Sequence, residues 1–314
     1  MISVVIPLYN KSDKIKRCID SVLEQTFKDF EIIIINDGSI DNSLEIVKMF
    51  KDFRIKIYTT ENKGVVSARN FGIKASNFQI VAFLDADDFW LSNHLETLSK
   101  LAKDFPEAGL YTTKYSFLYS KNESQQLPTF SGIPERNWRG YVKNFYQASG
   151  KYRLGWTGSI AIPKHVLNKV GGFDETMKVS PYGEDIKLWT KIAIIFPVAY
   201  DTTHTCVYDL SGENHLSKNN FKNRTYAKFD EFIDYEKKDK ELKKYLDMFR
   251  TEFALKQKIS GNILEFKLTK GKIASENLNW KEKLLFQLSP FFLRKLYYLK
   301  SFLKDRKIKI ELHN

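Results

Sequence analysis

The first hundred residues alternate between two periodicities, and that alternation narrows the fold more than any single motif. Four short runs read as strands, SVVIPL (3–8), EIIIIN (31–36), RIKIY (54–58) and QIVAFL (79–84), and all but RIKIY are almost wholly apolar. Between them lie segments with helical spacing. Residues 12–25 read as a helix capped by Ser12, with Ile15, Ile19, Val22 and Leu23 on one face. Residues 42–51 and 65–75 read as two more. Strands without polar alternation, separated by helices, belong to a parallel sheet covered on both faces. Such sheets bind ligands just beyond the carboxyl ends of their strands. The residues there are Tyr9 and Asn10 after the first run, Asp37 after the second, and Asp85 and Asp87 after the fourth.

The rest of the chain is less regular. GLYTTKYSFLYS (109–120) and GSIAIP (158–163) read as strands, 121–140 as a loop, and GEDIKLWTKIAI (183–194) as a helix opening at Gly183. Beyond about residue 220 the chain reads as helical and rich in Lys. Residues 1–220 carry 27 Lys+Arg against 25 Asp+Glu, whereas 221–314 carry 23 against 13, so most of the net charge of +12 lies in the tail. An anionic partner is therefore expected there. The expected division is 1–105, 106–219 as the second half of the same domain, and a helical basic region over 220–314.

Several function classes lack their signatures. No G-x-G-x-x-G follows the first strand, as a nicotinamide-dependent oxidoreductase needs. PLYNKSDK carries none of the glycines of a nucleotidyltransferase loop. No nucleic-acid motif accompanies the basic charge. No apolar window approaches the roughly 18 residues of a membrane span, and MISVVIPLYN lacks a secretory basic region. Cys18 and Cys206 match no metal or redox spacing and read as reduced thiols. The expected location is cytoplasmic, with a peripheral position at the inner membrane face as an option.

The stretch FLDADDFW places Asp85, Asp87 and Asp88 within four residues. On an extended segment Asp85 and Asp87 point to the same side. Two such carboxylates are hard oxygen ligands suited to Mg²⁺ or Mn²⁺, which completes its shell with water and phosphate oxygens. The competing reading is an acidic turn capping a helix that starts near Ser92.

Five blocks, in order, resemble the glycosyltransferase family 2 enzymes: VVIPLYN, SVLEQTFKDFEIIIINDGSIDNS, NKGVVSARNFGIKAS, FLDADD and GGFDE…GED. The resemblance covers roughly the first 215 residues. It implies an α/β GT-A fold, a Rossmann-like and mostly parallel sheet flanked by helices, followed here by a C-terminal helical extension. It also implies an inverting transfer of sugar from a nucleotide-diphosphate sugar, UDP-linked, to a glycan or lipid-linked acceptor, with Mn²⁺ or Mg²⁺ as cofactor. Assembly of a surface polysaccharide is the setting that analogy suggests.

By that resemblance Pro7, Tyr9 and Asp37 line the nucleotide site, Tyr9 as a stacking face and Asp37 as acceptor of the uracil N3–H. Arg69 lies beside base and phosphates, able to pair with Asp37 or the nucleotide. Asp85 contacts the ribose or a metal-bound water, Asp87 binds the metal directly, and Asp88 bonds locally. Asp185 is the general base, since an acceptor hydroxyl must lose its proton as it attacks. Glu184 orients the acceptor. His215 touches metal or diphosphate, or is a solvated loop residue. Trp156 is a stacking face for an acceptor sugar, or a core aromatic. A catalytically inactive sugar-nucleotide-binding scaffold on the same fold is the alternative to an enzyme.

The tail segment SPFFLRKLYYLKSFLKDRKIKI (289–310) sets Phe292, Leu296, Leu299 and Leu303 on one helical stripe flanked by Arg294, Lys300 and Lys304. An apolar face with basic flanks suits an anionic membrane surface. Packing of that stripe on protein is the other option.

Overall fold

The computed structural model describes residues 1–119, 126–150, 152–211 and 223–305, with side chains to 299. It divides into two compact units, Met1–Lys218 with Thr225–Lys228, and Asn219–Arg224 with Phe229–Asn314.

The first unit opens with β1 (Ile2–Leu8), α1 (Ile15–Leu23), β2 (Phe30–Asp37), α2 (Ser43–Lys48), β3 (Ile55–Thr60), α3 (Val65–Ala75) and β4 (Ile80–Phe83). Then follow β5 (Phe89–Trp90), α4 (His94–Asp104), β6 (Leu110–Leu118), β7 (Arg139–Tyr141), α5 (Phe145–Ala148) and β8 (Ile160–Pro163). The last elements are α6 (Lys164–Val170), β9 (Pro181–Tyr182), α7 (Glu184–Ile195), β10 (Val198–Asp209) and β11 (Thr225–Tyr226).

The main sheet runs β3-β2-β1-β4-β8-β6-β10-β5, with β7 also on β10. β1 lies between β2 and β4, parallel to both. The chain thus builds outward to β3 and returns to the other side of β1. That reversal leaves a crevice at the carboxyl ends of β1 and β4, where such sheets hold ligands. Every residue of β1 and β2 is buried, which is why their sequences show no polar alternation. β8 is antiparallel to β4 and β6, so the sheet is mixed. β5 turns back and pairs antiparallel with β10 through Trp90 and Cys206, anchoring the acidic turn from its far side.

One capping expectation fails. α1 begins at Ile15, and its capping residue Lys14 makes no side-chain cap. The Ser12 N–H instead donates to Asp41 Oδ2 at 3.0 Å, beside the Lys11 N–H to Ser43 Oγ bond of 2.7 Å. Lys11 and Ser12 lace the loop after β1 to the segment after β2, and the helix starts later.

The second unit is helical: α8 (Ile233–Glu236), α9 (Lys240–Ser260), α10 (Ile263–Lys270), α11 (Trp280–Gln287) and α12 (Pro290–Asp305). Asp239 caps α9 by accepting from the Glu241 and Leu242 N–H groups. Ala254, Leu255, Phe266, Phe286 and Leu293 form its apolar cluster. In α12 the expected stripe is not the packed one. Leu293 is 3% exposed, whereas Phe291, Phe292 and Leu299 are 59%, 58% and 51% exposed. Leu296 is half-buried, and Leu303 lies outside the residues whose side chains are described. No helix among the described residues is long and apolar enough to cross a membrane.

Candidate active site

The crevice begins with two loops that hold each other. Pro7 is buried within β1, and Tyr9 just beyond it is 45% exposed. Asn10 adopts φ 50°, an arrangement asparagine tolerates, and its Oδ1 accepts the Ile40 N–H at 2.9 Å. Asp37 ends β2 and accepts the Lys63 and Gly64 N–H groups at 2.9 and 2.8 Å. Gly64 has φ 87°, and a Cβ there would lie 2.6 Å from the Lys178 carbonyl oxygen, so only glycine fits.

The three aspartates after β4 have three different fates. Lys11 Nζ donates to Asp87 Oδ2 at 2.6 Å, and Arg69 Nη2 donates to Asp85 Oδ1 at 2.7 Å. Asp88 is buried; its Oδ1 accepts the Asp209 N–H at 2.8 Å, and its Oδ2 has no partner. Burial first, then the charges of Asp87 and Asp85, push the Asp88 pKa well above the usual carboxylate range. Asp87 and Asp85 thus each face a cation. α4 starts under Asn93 with no side-chain cap, so the acidic turn does not serve as its cap.

Helix α1 fastens this turn from below. Arg17 Nη2 donates to the Asp87 carbonyl at 3.0 Å and to Asp209 Oδ2 at 2.6 Å, and Lys14 Nζ reaches the same Asp209 oxygen at 2.9 Å. Burial opposes ionisation of Asp209, yet bonds from Ser211, Lys14 and Arg17 outweigh it and hold its pKa below the usual range. Lys11, Lys14, Arg17 and Asp209 carried no signal in the sequence: three of them look like solvated helix-entry charges, and Asp209 like a strand end.

The SARN segment supplies two adjacent ties from α3. Arg69 is buried and pairs with Asp85 and, through Nη1, with Glu184 Oε1 at 3.0 Å; among the described residues it does not bond Asp37. Asn70 clasps the turn before α7, donating to the Phe173 carbonyl and accepting the Phe173 N–H, both at 2.9 Å. Gly172 has φ 67°, and a Cβ there would lie 2.8 Å from Asn70 Oδ1.

Glu184 and Asp185 occupy the first turn of α7 behind Gly183 in the left-handed conformation, where the helix dipole favours negative charge. Burial, and then Asp185, raise the Glu184 pKa, against the pull of Arg69. Asp185 Oδ1 accepts the Ile186 N–H at 2.8 Å, and Arg153 Nη1 approaches Oδ2 at 3.4 Å. The Tyr115 hydroxyl donates to the Arg153 carbonyl at 2.8 Å, which joins Asp185 to an aromatic wall. In that wall Trp156 is only 7% exposed and stacks on Tyr208 at 4.7 Å between centroids. Tyr208, Tyr152 and Phe117 are the half-buried members. His215 lies outside the described residues.

Asp85 and Asp87 offer the oxygen donors that Mg²⁺ or Mn²⁺ takes, with diphosphate and water oxygens for the remaining positions. No group of three or more His, Cys, Asp or Glu gathers as a closed metal cage among the described residues. The donor set thus fits an ion shared with a ligand rather than a permanently caged one.

The architecture is that of a GT-A fold. The crystal structure of S. aureus TarS matches with a TM-score of 0.63 at 16% identity, covering 95% of this chain and 54% of that one. The TarS 1–349 complex with UDP-GlcNAc matches with a TM-score of 0.56 at 17% identity, covering 90% and 78%. Residues 3–176 match the glycosyl transferase family 2 model, and the chain belongs to that family. An uncharacterized glycosyltransferase of Rickettsia bellii is 44% identical over 61% of this chain and 26% of its own length. The Escherichia coli WfaP, named a UDP-Glc:alpha-D-GlcNAc-diphosphoundecaprenol beta-1,3-glucosyltransferase, is 30% identical over 71% of this chain and 82% of its own. The chain spans only 26% and 18% of the first two curated relatives it matches.

Proposed function

We propose that this protein is an inverting glycosyltransferase that moves a sugar from a UDP-sugar to a glycan or lipid-linked acceptor in surface polysaccharide assembly. One observation carries the reading. Arg69 joins Asp85, at the end of β4, to Glu184, beside Asp185, so the donor-side carboxylates and a proton acceptor share one crevice. The names of WfaP and of the TarS complex supply the UDP-sugar and the lipid-linked acceptor as chemical precedents.

Tyr9 offers its exposed ring to the nucleobase, and Asp37 accepts the uracil N3–H. Asp87 and Asp85 would hold Mn²⁺ or Mg²⁺, which when bound would offset the charge of the departing diphosphate. Asp185 takes the proton from the acceptor hydroxyl as that oxygen attacks the anomeric carbon from the face opposite the diphosphate, which inverts the centre. Glu184, fixed by Arg69, positions the acceptor. Trp156 backs the acceptor wall through Tyr208 rather than presenting its own face. The domain roles follow: nucleotide binding over 1–105, acceptor binding over 106–219, and an accessory helical region over 220–314.

That region carries the membrane reading. Phe291, Phe292, Tyr298 and Leu299 are exposed on α12, with Arg294 and Lys295 exposed beside them. An apolar face with cations beside it suits anionic lipid, which supports a peripheral position at the cytoplasmic membrane face where lipid-linked acceptors sit.

A panel of nucleotide sugars assayed for Mn²⁺-dependent donor hydrolysis and transfer tests the reading. Turnover with a UDP-sugar that disappears in both Asp87→Ala and Asp185→Ala supports it. Turnover untouched by both substitutions overturns the site, and the absence of turnover with UDP-sugar binding intact favours a scaffold.

A further inference from the structure

We infer that Lys11 is a built-in competitor for the divalent ion at Asp87, one that makes metal binding depend on prior or simultaneous binding of the nucleotide diphosphate. The inference rests on the metal-dependent reading above and goes beyond it.

The Lys11 ammonium and a divalent ion need the same oxygen. Lys11 Nζ lies 2.6 Å from Asp87 Oδ2, and the two side chains are only 19% and 14% exposed. Partial removal from water strengthens such a pair over a surface contact. The other carboxylate is also engaged, since Arg69 Nη2 holds Asp85 Oδ1 at 2.7 Å. Arg17 adds a third positive group at the Asp87 carbonyl. An ion approaching this turn alone meets carboxylates already neutralised and three cations that repel it.

Lys11 is also able to yield. Its backbone is fixed, through the N–H bond to Ser43 Oγ at 2.7 Å and the Asn10 bridges to Ser39 and Ile40. Its charge sits at the end of a flexible four-carbon stem, unlike the rigid guanidinium fork of Arg69. A diphosphate entering between β1 and β4 brings negative oxygens to which the ammonium can swing. Asp87 Oδ2 is then released to the ion, and the same phosphates complete the ion's shell. Lys11 therefore opposes the ion when it comes alone and supports the donor when both arrive. Linkage requires the coupling to be reciprocal: whatever factor UDP adds to Mn²⁺ affinity, Mn²⁺ adds to UDP affinity.

The test is Mn²⁺ binding to the full chain, followed by electron paramagnetic resonance of the free ion and by calorimetry, with and without UDP. In the wild type UDP should tighten Mn²⁺ on the order of tenfold or more. Lys11→Met should bind Mn²⁺ alone on the order of tenfold tighter than wild type, bind UDP more weakly, and show a reduced coupling factor. Lys11→Arg, which keeps the charge at Asp87, should bind Mn²⁺ alone no more tightly than the wild type. A fold defect would weaken the ion in Lys11→Met, so tightening is a signature that a merely structural role does not give. Unchanged or weaker binding of Mn²⁺ alone to Lys11→Met, with the Mn²⁺–UDP complex still forming, overturns the competitor and leaves the metal reading standing. If UDP binds but Mn²⁺ binds to no variant in its presence, the metal reading falls and takes this inference with it.

Discussion

Arg69 on α3 and Glu184 at the start of α7 meet at 3.0 Å although 115 residues separate them in the chain. The same guanidinium holds Asp85 at 2.7 Å, so one buried side chain sets the spacing between the acidic turn and the head of α7. Loss of that bridge strands two carboxylates in a poorly hydrated place. Arg69→Ala should cost about 3 kcal/mol of stability, read as a lowered urea midpoint, and should weaken UDP binding. Arg69→Lys should restore little, because one ammonium does not span both carboxylates as a planar fork does. Full recovery in the Lys variant would show that charge alone suffices.

Asp185→Asn keeps the shape of the site and removes the proposed proton acceptor. Transfer should fall by roughly a thousandfold, in the range general-base catalysis supplies, while UDP affinity changes little. Single-turnover transfer and calorimetric UDP binding check the two halves of that statement. A matching loss of UDP affinity would mean that Asp185 acts in donor binding instead.

A buried histidine gives the fold a pH dependence of its own. His94 bonds Thr205 Oγ1 through Nδ1 at 2.7 Å, and its Nε2 has no partner. Burial lowers its pKa from 6.5 to about 3, so the folded protein keeps it neutral while the unfolded chain takes up a proton near 6.5. The unfolded state binds more protons between those values, and stability falls as pH drops below 6.5 by about 1.4 kcal/mol per pH unit from this group. His94→Phe should flatten the difference between urea midpoints at pH 7 and pH 5. Parallel losses in both proteins would assign the acid sensitivity elsewhere.

Membrane docking is best tested by point changes. Phe286 and Leu293 belong to the buried cluster of the second unit, so deleting 286–314 would unravel its core along with any lipid contact. Phe291→Ser with Phe292→Ser removes exposed apolar surface alone, since both rings are more than half exposed. Co-sedimentation with phosphatidylglycerol vesicles should fall at least tenfold, in proportion to apolar area withdrawn from lipid, with donor hydrolysis unchanged. Undiminished sedimentation would sink the membrane reading for this face.

Much of the first unit was legible from residue order. The four strand runs and the 65–75 helix appear where the sequence put them; β1 and β2 are buried throughout and show no polar alternation, whereas β3 is a half-exposed edge strand. The α3 span is Val65–Ala75, and Asp37, Asp85 and Asp87 stand at strand ends because a parallel sheet leaves its carboxyl ends open. One local misreading came where the chain had a distant partner. Ser12 looked like a helix cap, but its N–H answers to Asp41. On α12 the stripe residues Phe292 and Leu299 are exposed, and the packed residue is Leu293, which spacing did not single out.

The sequence by itself determined the layered α/β unit, the family, and the presence of carboxylates at one edge of the sheet, because hydrophobic periodicity and turn chemistry are local properties of the chain. Only the tertiary structure decided which charge faces which: Lys11 on Asp87, Arg69 between Asp85 and Glu184, Lys14 and Arg17 on Asp209. Charge pairing depends on separations of a few ångströms between residues far apart in sequence, and those separations exist only once β1, β4 and β10 have been set side by side.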